Sequence, residues 1–234
     1  MSRAKQQVDE LRAEIMAPLP LMQHPVVQAR IKGEYSLDQI RAIEIQHYYE
    51  ARFFSTFVLN TIKNCNDDLD ARKRMAENWL SEATGEDHAS LIVRLLEALD
   101  VPIGKALATD PTPGMAAWHH IEEQITNNSP FALGVASLWI GEPEYPPVAK
   151  ALHRAYHEIY GLPLDAIVTY EVHADADVQH GDQEEGIVIA ALEADPSLLP
   201  RMRRVCRDAW SGYIHSFDGY WQAATGQRVF WAGV

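Results

Sequence analysis

The feature that most constrains the fold of this chain is a helical spacing of apolar residues along nearly its whole length. Apolar side chains recur at intervals of three and four residues, which predicts amphipathic α-helices. Strand signals are nearly absent, since the one Asp-Gly pair, at 218–219, lacks the flanking alternation that a β-hairpin needs. The sequence therefore predicts an all-α protein.

Beyond an amphipathic N-terminal segment, eight stretches fit a helix, and short polar or proline-containing loops separate them. Their ranges are 36–62, 68–83, 88–99, 114–126, 131–141, 146–160, 164–193 and 196–224. Ser36, followed by Gln39 three residues later, predicts a capping box at the start of the first of these. Because helices joined by short loops pack as antiparallel neighbours, we expect residues 1–234 to form a single all-α bundle of about seven to nine helices.

The net charge and the length of the apolar runs limit the kinds of partner that this protein is expected to bind. The formal net charge is −13 without a basic stripe, which disfavours nucleic acid and anionic membranes because phosphate-rich surfaces select a surplus of Lys and Arg. No apolar run approaches the roughly 20 residues that span a bilayer, and the charged N-terminal segment differs from a signal peptide. We expect a cytoplasmic protein with a small-molecule substrate, in which Cys65 and Cys206 are reduced and buried.

The segment EVHADADVQH, residues 171–180, concentrates metal-binding residue types within a helical stretch. His173, Asp177 and His180 stand at i, i+4 and i+7, so one helix face presents all three, while Asp175 lies on the opposite side. Two imidazoles and a carboxylate can hold a transition metal and leave positions open for dioxygen and substrate. The alternative is a polar helix face with incidental histidines, and a bundle site needs further ligands from facing helices.

Two other places carry candidate donors. Glu82 and His88 flank the break between two predicted helices; on a continuous helix they would lie roughly 120° apart, so they converge only if the helix unwinds at the glycine between them. Glu142 stands where a helix is interrupted before two prolines. Glu86 and Glu144 are the rival carboxylates, and any one of these acids taken alone is more often a solvated surface residue.

Glu44 and His47 form an E-x-x-H pattern on the first long helix. A ferritin-like iron pair requires two such units, and the sequence offers no convincing second one. We therefore assign Glu44 and His47 to contacts behind the metal ligands or to core packing.

Taken in order, these motifs resemble a known family. HP at 24–25, QHYYEARFF at 46–54, NWLSEATGEDHASL at 78–91, a Glu four residues before Pro146, and the run from 157 to 180 are similar to the heme-oxygenase-like di-iron oxidases and oxygenases. That family shares its helical fold with thiaminase-II-type proteins and pyrroloquinoline-quinone synthase. The resemblance extends over residues 20–225 and is most specific from Tyr160 to His180.

The resemblance implies two Fe(II) ions per chain, held by three carboxylates and three histidines, with dioxygen as co-substrate. Carried over to this chain, the implied ligands are Glu82, His88, Glu142, His173, Asp177 and His180. The interval from Glu82 to His88 is shorter than the family pattern, which leaves the choice between Glu82 and Glu86 open. The sequence also leaves open whether the metal is iron or manganese. The resemblance does not imply heme, because no histidine stands out as a proximal ligand.

The expected reaction is oxidation or oxygenation of a small, carboxylate-bearing molecule of amino-acid or fatty-acid type, by oxidative decarboxylation, N-oxygenation or carbon–carbon cleavage. Family members that form p-aminobenzoate also resemble this chain, but they use a lysine beyond the Glu-x3-Pro helix; Lys150 is not clearly in register with it, so we do not assign that chemistry. The alternatives are a metal-free enzyme of thiaminase-II or quinone-synthase type and a non-catalytic helical interaction protein. We expect a homodimer, and an external electron donor can take part.

The substrate pocket is expected inside the bundle, beside the metal ions. Its candidate lining residues are Tyr48, Tyr49, Arg52, Phe53, Trp139 and Tyr160. For the aromatic ones plain core packing is the alternative, because aromatic residues at helical spacing are usually core. An inward Arg52 could clamp a substrate carboxylate through two hydrogen bonds, whereas a solvated arginine is the commoner case.

Overall fold

The computed structural model describes residues 2–83 and 87–233, without the side chains at 81, 82 and 174–179. Eleven α-helices lie in these ranges. They are α1 (Arg3–Met16), α2 (Pro25–Ile31), α3 (Leu37–Lys63), α4 (Leu69–Ala83), α5 (His88–Ala98), α6 (Ile103–Ala108), α7 (Pro113–Asn128), α8 (Phe131–Trp139), α9 (Tyr145–Glu158), α10 (Val168–Ala194) and α11 (Leu199–Thr225). Short 3-10 turns occupy Leu21–Gln23, Glu142–Glu144, Leu164–Ala166 and Pro196–Leu198.

The all-α prediction is confirmed, since the described residues form helices and no strand. The predicted number of seven to nine helices is too low. The additional helices, α2 and α6, have only seven and six residues, which is too short for an apolar period to become visible. Helices α10 and α11 begin later than predicted because 3-10 turns precede them.

The predicted capping box opens α3. The Ser36 hydroxyl accepts a hydrogen bond from the Gln39 backbone N–H, and the Gln39 side-chain oxygen accepts one from the Ser36 backbone N–H at 2.9 Å. Helix α11 ends at Gly226, whose φ of 71° lies in the left-handed region that favours glycine. Local sequence signals therefore set the ends of two of the three longest helices.

Helices α7 and α11 approach each other closely because glycines stand at their contact. A Cβ at Gly114 would overlap the carbonyl oxygen of His215, and a Cβ at Gly219 would lie 2.9 Å from the backbone nitrogen of Met115. The buried face of α7 is therefore held against the interior of the bundle. That face consists of Met115, Trp118, Glu122 and Thr126, so it carries a carboxylic acid among apolar neighbours.

The segment after α11 folds back onto the beginning of the chain. The Trp231 backbone N–H donates to Asp218 Oδ1 at 3.1 Å, and the Trp231 indole meets the His24 ring edge-on with 5.0 Å between centroids. His24 Nε2 lies 3.2 Å from Asp218 Oδ1. Gly233, with φ of 94°, lies so close to the Pro18 carbonyl oxygen that a side chain would not fit.

Two simpler expectations can be compared with the fold. Among the described helices, none combines the length and the apolar character needed to cross a lipid bilayer. Cys65 and Cys206 are buried free thiols, which agrees with the prediction for both.

Candidate active site

A cavity of about 100 Å³ lies inside the bundle, and helices α3, α5, α7, α8, α9, α10 and α11 and the 142–144 turn contribute to its wall. Its described lining is largely apolar and aromatic, but it includes three carboxylic acids and three histidines and contains neither Lys nor Arg. The lining residues are His47, Glu50, Ala51, Phe54, His88, Trp118, Glu122, Ser137, Leu138, Ile140, Gly141, Glu142, Tyr145, His173, Ala209, Tyr213, Phe217 and Tyr220.

Two of the predicted metal ligands meet at the wall of this cavity. The rings of His88, at the start of α5, and His173, on α10, have centroids 4.2 Å apart. His173 Nδ1 lies 2.6 Å from the carbonyl oxygen of Thr169. Because a carbonyl only accepts, Nδ1 carries the proton, and Nε2 of the neutral ring is the nitrogen with a lone pair for a metal ion.

The predicted carboxylate ligand of the 142–144 turn lies in the same wall. Glu142 is buried, and a Cβ placed on Gly181 of α10 would lie 3.4 Å from Glu142 Cβ. The turn therefore packs on α10 directly beside His180, which is buried as well. The rival residue, Glu144, is half-buried and is not part of the described cavity lining.

The remaining predicted ligands, Glu82 and Asp177, have side chains outside the described residues, and the rival Glu86 lies outside them altogether. Within the described part of the chain, no three His, Cys, Asp or Glu side chains converge closely enough to hold a metal ion. His88, Glu142, His173 and His180 are thus donors of a chemistry that suits iron, and the predicted set of six would also need the acids at 82 and 177.

His47, which lines the cavity, is hydrogen-bonded to a buried carboxylate. His47 Nδ1 lies 2.8 Å from Glu44 Oε2, as the E-x-x-H spacing on α3 permits. Glu44 Oε1 accepts hydrogen bonds from Arg30 Nη2 at 2.7 Å, from the Tyr156 hydroxyl at 2.5 Å and from the Tyr170 hydroxyl at 2.9 Å. We call these five residues the Arg30 cluster.

The Arg30 cluster keeps a carboxylate ionised inside the protein. Burial by itself raises the pKa of Glu44, but the Arg30 charge and the bonds to His47 and Tyr156 outweigh burial and lower that pKa to about 2. Since Arg30 is itself buried, the two charges neutralise each other away from water. The cluster reaches the cavity through His47, which belongs to both.

Two further acids in the cavity wall were not predicted from the sequence. Glu122 on α7 is 5% exposed, and its Oε2 has no hydrogen-bond partner; burial raises its pKa to about 8, although a hydrogen bond with Ser137 opposes this. Glu50 on α3 accepts a hydrogen bond from the Tyr220 hydroxyl. Burial raises the pKa of Glu50 as well, against the His47 charge and the Tyr220 bond.

A sequence signal for Glu122 did exist. Met115, Trp118, Glu122 and Thr126 follow the spacing of one helix face, so an acid stands where the apolar period requires a core residue. The acid–tyrosine pair of Glu50 and Tyr220 had no such signal, because its members are 170 positions apart in the chain.

The six residues predicted to line the substrate pocket lie elsewhere among the described residues. Arg52 is exposed, with its guanidinium carbon 5.5 Å from the Tyr48 ring centroid and 5.4 Å from that of Phe53. Tyr49 packs against Phe53 with 4.9 Å between centroids. Trp139 is fully buried and Tyr160 half-buried. None of the six is in the described cavity lining, and contact between any of them and a substrate stays a prediction.

The region that holds these groups matches a known protein family. A family model described as iron-containing redox enzyme matches residues 41–213, which includes every predicted metal ligand. The chain belongs to this family. Membership in the iron-containing redox enzymes identifies an oxidoreductase-type enzyme and agrees with the resemblance seen in the sequence motifs.

Curated relatives of this iron-containing redox enzyme include proteins named 4-aminobenzoate synthase. The one from Chlamydia muridarum is 28% identical over 213 residues, which cover 90% of this chain and 89% of that protein. The one from Nitrosomonas europaea is 28% identical over 223 residues, covering 88% and 87%.

Solved structures share the fold of this iron-containing redox enzyme. A TenA homolog from Pseudomonas syringae pv. tomato has a TM-score of 0.75 at 14% identity, covering 94% of this chain and 91% of that one. A CADD-like protein of unknown function from Nostoc punctiforme has a TM-score of 0.75 at 15% identity, covering 97% and 100%. A domain from Shewanella denitrificans described as having a heme oxygenase-like fold has a TM-score of 0.60 at 14% identity, covering 97% of each chain. The fold is therefore heme-oxygenase-like.

Proposed function

We propose that this protein is a non-heme iron oxidase or oxygenase that uses dioxygen on a small molecule bound in the cavity. Two iron ions would be held by Glu82, His88, Glu142, His173, Asp177 and His180. The observation that carries the proposal is the 4.2 Å approach of the His88 and His173 rings at the wall of a cavity that Glu142 also lines.

The donor chemistry supports iron in particular. Imidazole and carboxylate ligands suit iron, and three carboxylates nearly neutralise two Fe(II) ions. The Thr169 carbonyl holds His173 in the tautomer that offers Nε2, as a backbone acceptor does for most ligating histidines. When bound, the iron pair supplies the activation of dioxygen, which amino-acid side chains do not provide.

Side chains of the cavity wall would bind the substrate and exchange protons with it. His47 is oriented by Glu44 through Nδ1, so Nε2 is the nitrogen that can exchange a proton with a molecule in the cavity. Glu44 stays ionised because its pKa is lowered to about 2, which favours a proton on Nδ1. The apolar walls formed by Phe54, Leu138 and Phe217 exclude water from the reacting molecule.

Titration with ferrous iron under anaerobic conditions tests the proposal. We expect about two iron ions per chain, from the count of six ligands, and a transient visible absorption band when air is admitted. The His173→Ala variant should lose at least half of the iron, whereas His120→Ala, which changes an exposed histidine of α7, should keep it. Equal iron content in wild type and His173→Ala would sink the proposal, and no iron in either would favour a metal-free enzyme of this fold.

A second candidate function is formation of 4-aminobenzoate, which the names of the curated relatives favour. In the family members that the sequence resembles, this chemistry depends on a lysine. Lys150 is exposed on α9, and the described cavity lining contains no lysine. We therefore place oxidation of an external small molecule first.

Growth without added 4-aminobenzoate distinguishes the two candidates. The gene would be expressed in a bacterium that cannot make this compound, with Lys150→Ala and His173→Ala as variants. Growth with wild type that is lost with Lys150→Ala supports lysine-dependent formation of 4-aminobenzoate. Absence of growth with an iron-loaded wild type would contradict formation of 4-aminobenzoate.

A further inference from the structure

The cavity contains a polar feature that the metal ligands do not use. Glu122 is 5% exposed, lies in the cavity lining, and its Oε2 has no hydrogen-bond partner. Its one side-chain contact of hydrogen-bonding type in the described chain is Ser137, which also lines the cavity. A buried carboxyl oxygen without a partner costs free energy unless a bound molecule completes its hydrogen bonds.

The rest of the wall restricts which molecule can do so. Close to Glu122, the lining includes Trp118 of the same helix face and Leu138, the residue after Ser137. The second acid, Glu50, already accepts a hydrogen bond from Tyr220. Since the described lining holds neither Lys nor Arg, no cation of the wall pairs with Glu122, and an organic molecule that pairs with it would bring a hydrogen-bond donor on an apolar body.

We propose that Glu122 and Ser137 form the binding site for an amino group, and that the substrate is a primary amine with an apolar body. The assignment rests on the proposed function, because it names the class of molecule that would be oxidised. A protonated amine has three N–H donors. Glu122 Oε2 can accept one of them, and Ser137 Oγ can accept another through a lone pair when its hydroxyl donates to the Gly134 carbonyl, 2.8 Å away, instead of to Glu122.

The pKa of Glu122 gives the site a measurable signature. Burial raises that pKa to about 8, against the opposing bond with Ser137, so the carboxyl is mainly protonated at pH 6.5. An ammonium group that binds beside it favours the ionised carboxylate. Binding of the amine should therefore release close to one proton.

Isothermal titration of the iron-loaded, anaerobic protein with benzylamine tests the assignment. We expect benzylamine to bind wild type, with close to one proton released per amine at about pH 6.5 when two buffers of different ionisation enthalpy are compared. Benzyl alcohol should release none. Glu122→Gln should weaken benzylamine binding by at least about tenfold and abolish the proton release, because the charge-assisted hydrogen bond is lost.

Glu123→Gln is the matched control, since Glu123 follows on the same helix and lies 4.0 Å from His119; benzylamine should bind this variant as it binds wild type. No benzylamine binding to wild type, unchanged binding to Glu122→Gln, an equal loss in Glu123→Gln, or binding without proton release would each overturn the assignment. Iron content is measured on the same samples and tests the proposed function separately. A wild type that holds no iron refutes that function, while the amine titration still decides the role of Glu122.

Discussion

Glu44 and Glu122 are both buried glutamates near the same cavity, yet their pKa values are driven in opposite directions. At Glu44 the Arg30 charge and the bonds to His47 and Tyr156 outweigh burial and lower the pKa to about 2, whereas at Glu122 burial prevails and raises the pKa to about 8. The amino acid and the burial are alike, so the neighbours account for the difference. A fully paired charge such as Glu44 stabilises one arrangement of the core, whereas an acid with an unfilled oxygen marks a place that can receive a ligand.

The largest effect on stability is expected from removing Arg30, the cation that pairs with Glu44. Arg30→Met leaves the Glu44 carboxylate buried without its cation, and loss of one partner of a buried ion pair costs about 3–5 kcal/mol. Chemical denaturation at pH 7 measures the unfolding free energy. The difference from wild type should narrow as the pH falls from about 4.5 towards 2, because the stabilisation from a lowered carboxyl pKa is lost in that window.

The double variant Arg30→Met with Glu44→Gln is the control for this prediction. Removing both charges should recover much of the lost stability, since an uncharged pair carries no burial penalty for an isolated ion. A double variant as unstable as Arg30→Met alone would show that packing of the arginine, rather than its charge, supports the core.

A smaller effect, visible as a change in how stability depends on pH, is expected from replacing Glu122. Glu122 has a raised pKa, so the folded protein binds more protons than the unfolded chain between about pH 4.5 and 8, and the unfolding free energy of wild type falls as pH rises through that window. Glu122→Gln removes this contribution. In the iron-free protein, the variant should lose less stability than wild type between pH 5 and 8, by on the order of 2 kcal/mol.

Denaturation series at several pH values in wild type, Glu122→Gln and Glu123→Gln measure this difference. The Glu123→Gln curve should run parallel to that of wild type, because Glu123 is half-buried rather than enclosed. Parallel curves for all three proteins would mean that the Glu122 carboxyl is already paired or hydrated in solution.

The smallest effect concerns Glu50, a cavity acid that accepts a hydrogen bond from the Tyr220 hydroxyl. Tyr220→Phe removes the hydroxyl that donates to Glu50, at an expected cost of about 1 kcal/mol near pH 8. Tyr49→Phe is the matched control, since the Tyr49 hydroxyl is 3.5 Å from His119 Nδ1, at the limit of a hydrogen bond. Thermal unfolding of the two variants compares them, and an equal loss in both would contradict a specific role for the Tyr220 bond.

The parts of the fold that sequence could predict are those with local causes. The apolar period predicted the long helices, and Ser36 with Gln39 predicted the start of α3, because both signals act within one or two turns. Helices α2 and α6 were missed because six or seven residues hold too little periodicity. The predicted carboxylate-bearing substrate has no Lys or Arg partner in the described cavity lining.

The residues of the candidate site also divide into those with a local sequence signal and those that only the tertiary fold brings together. The His173 spacing was visible on one helix, and the resemblance to a family indicated His88 and Glu142, which the fold brings into the same cavity wall. Arg30 and Tyr156 were not predicted, since 126 positions separate them and only the tertiary fold brings them together. Glu122 could have been predicted as a buried acid, because the sequence places it on the apolar face of α7.

The contact between Trp231 and Asp218 has a practical consequence for making the protein. Asp218 accepts one hydrogen bond from the Trp231 backbone N–H and lies against His24, so a chain shortened before residue 231 would expose a carboxylate and an imidazole that are now covered. Gly233 fits against Pro18 only without a side chain. A purification handle attached at the C-terminal end would therefore need a spacer that keeps Trp231 and Gly233 in these contacts.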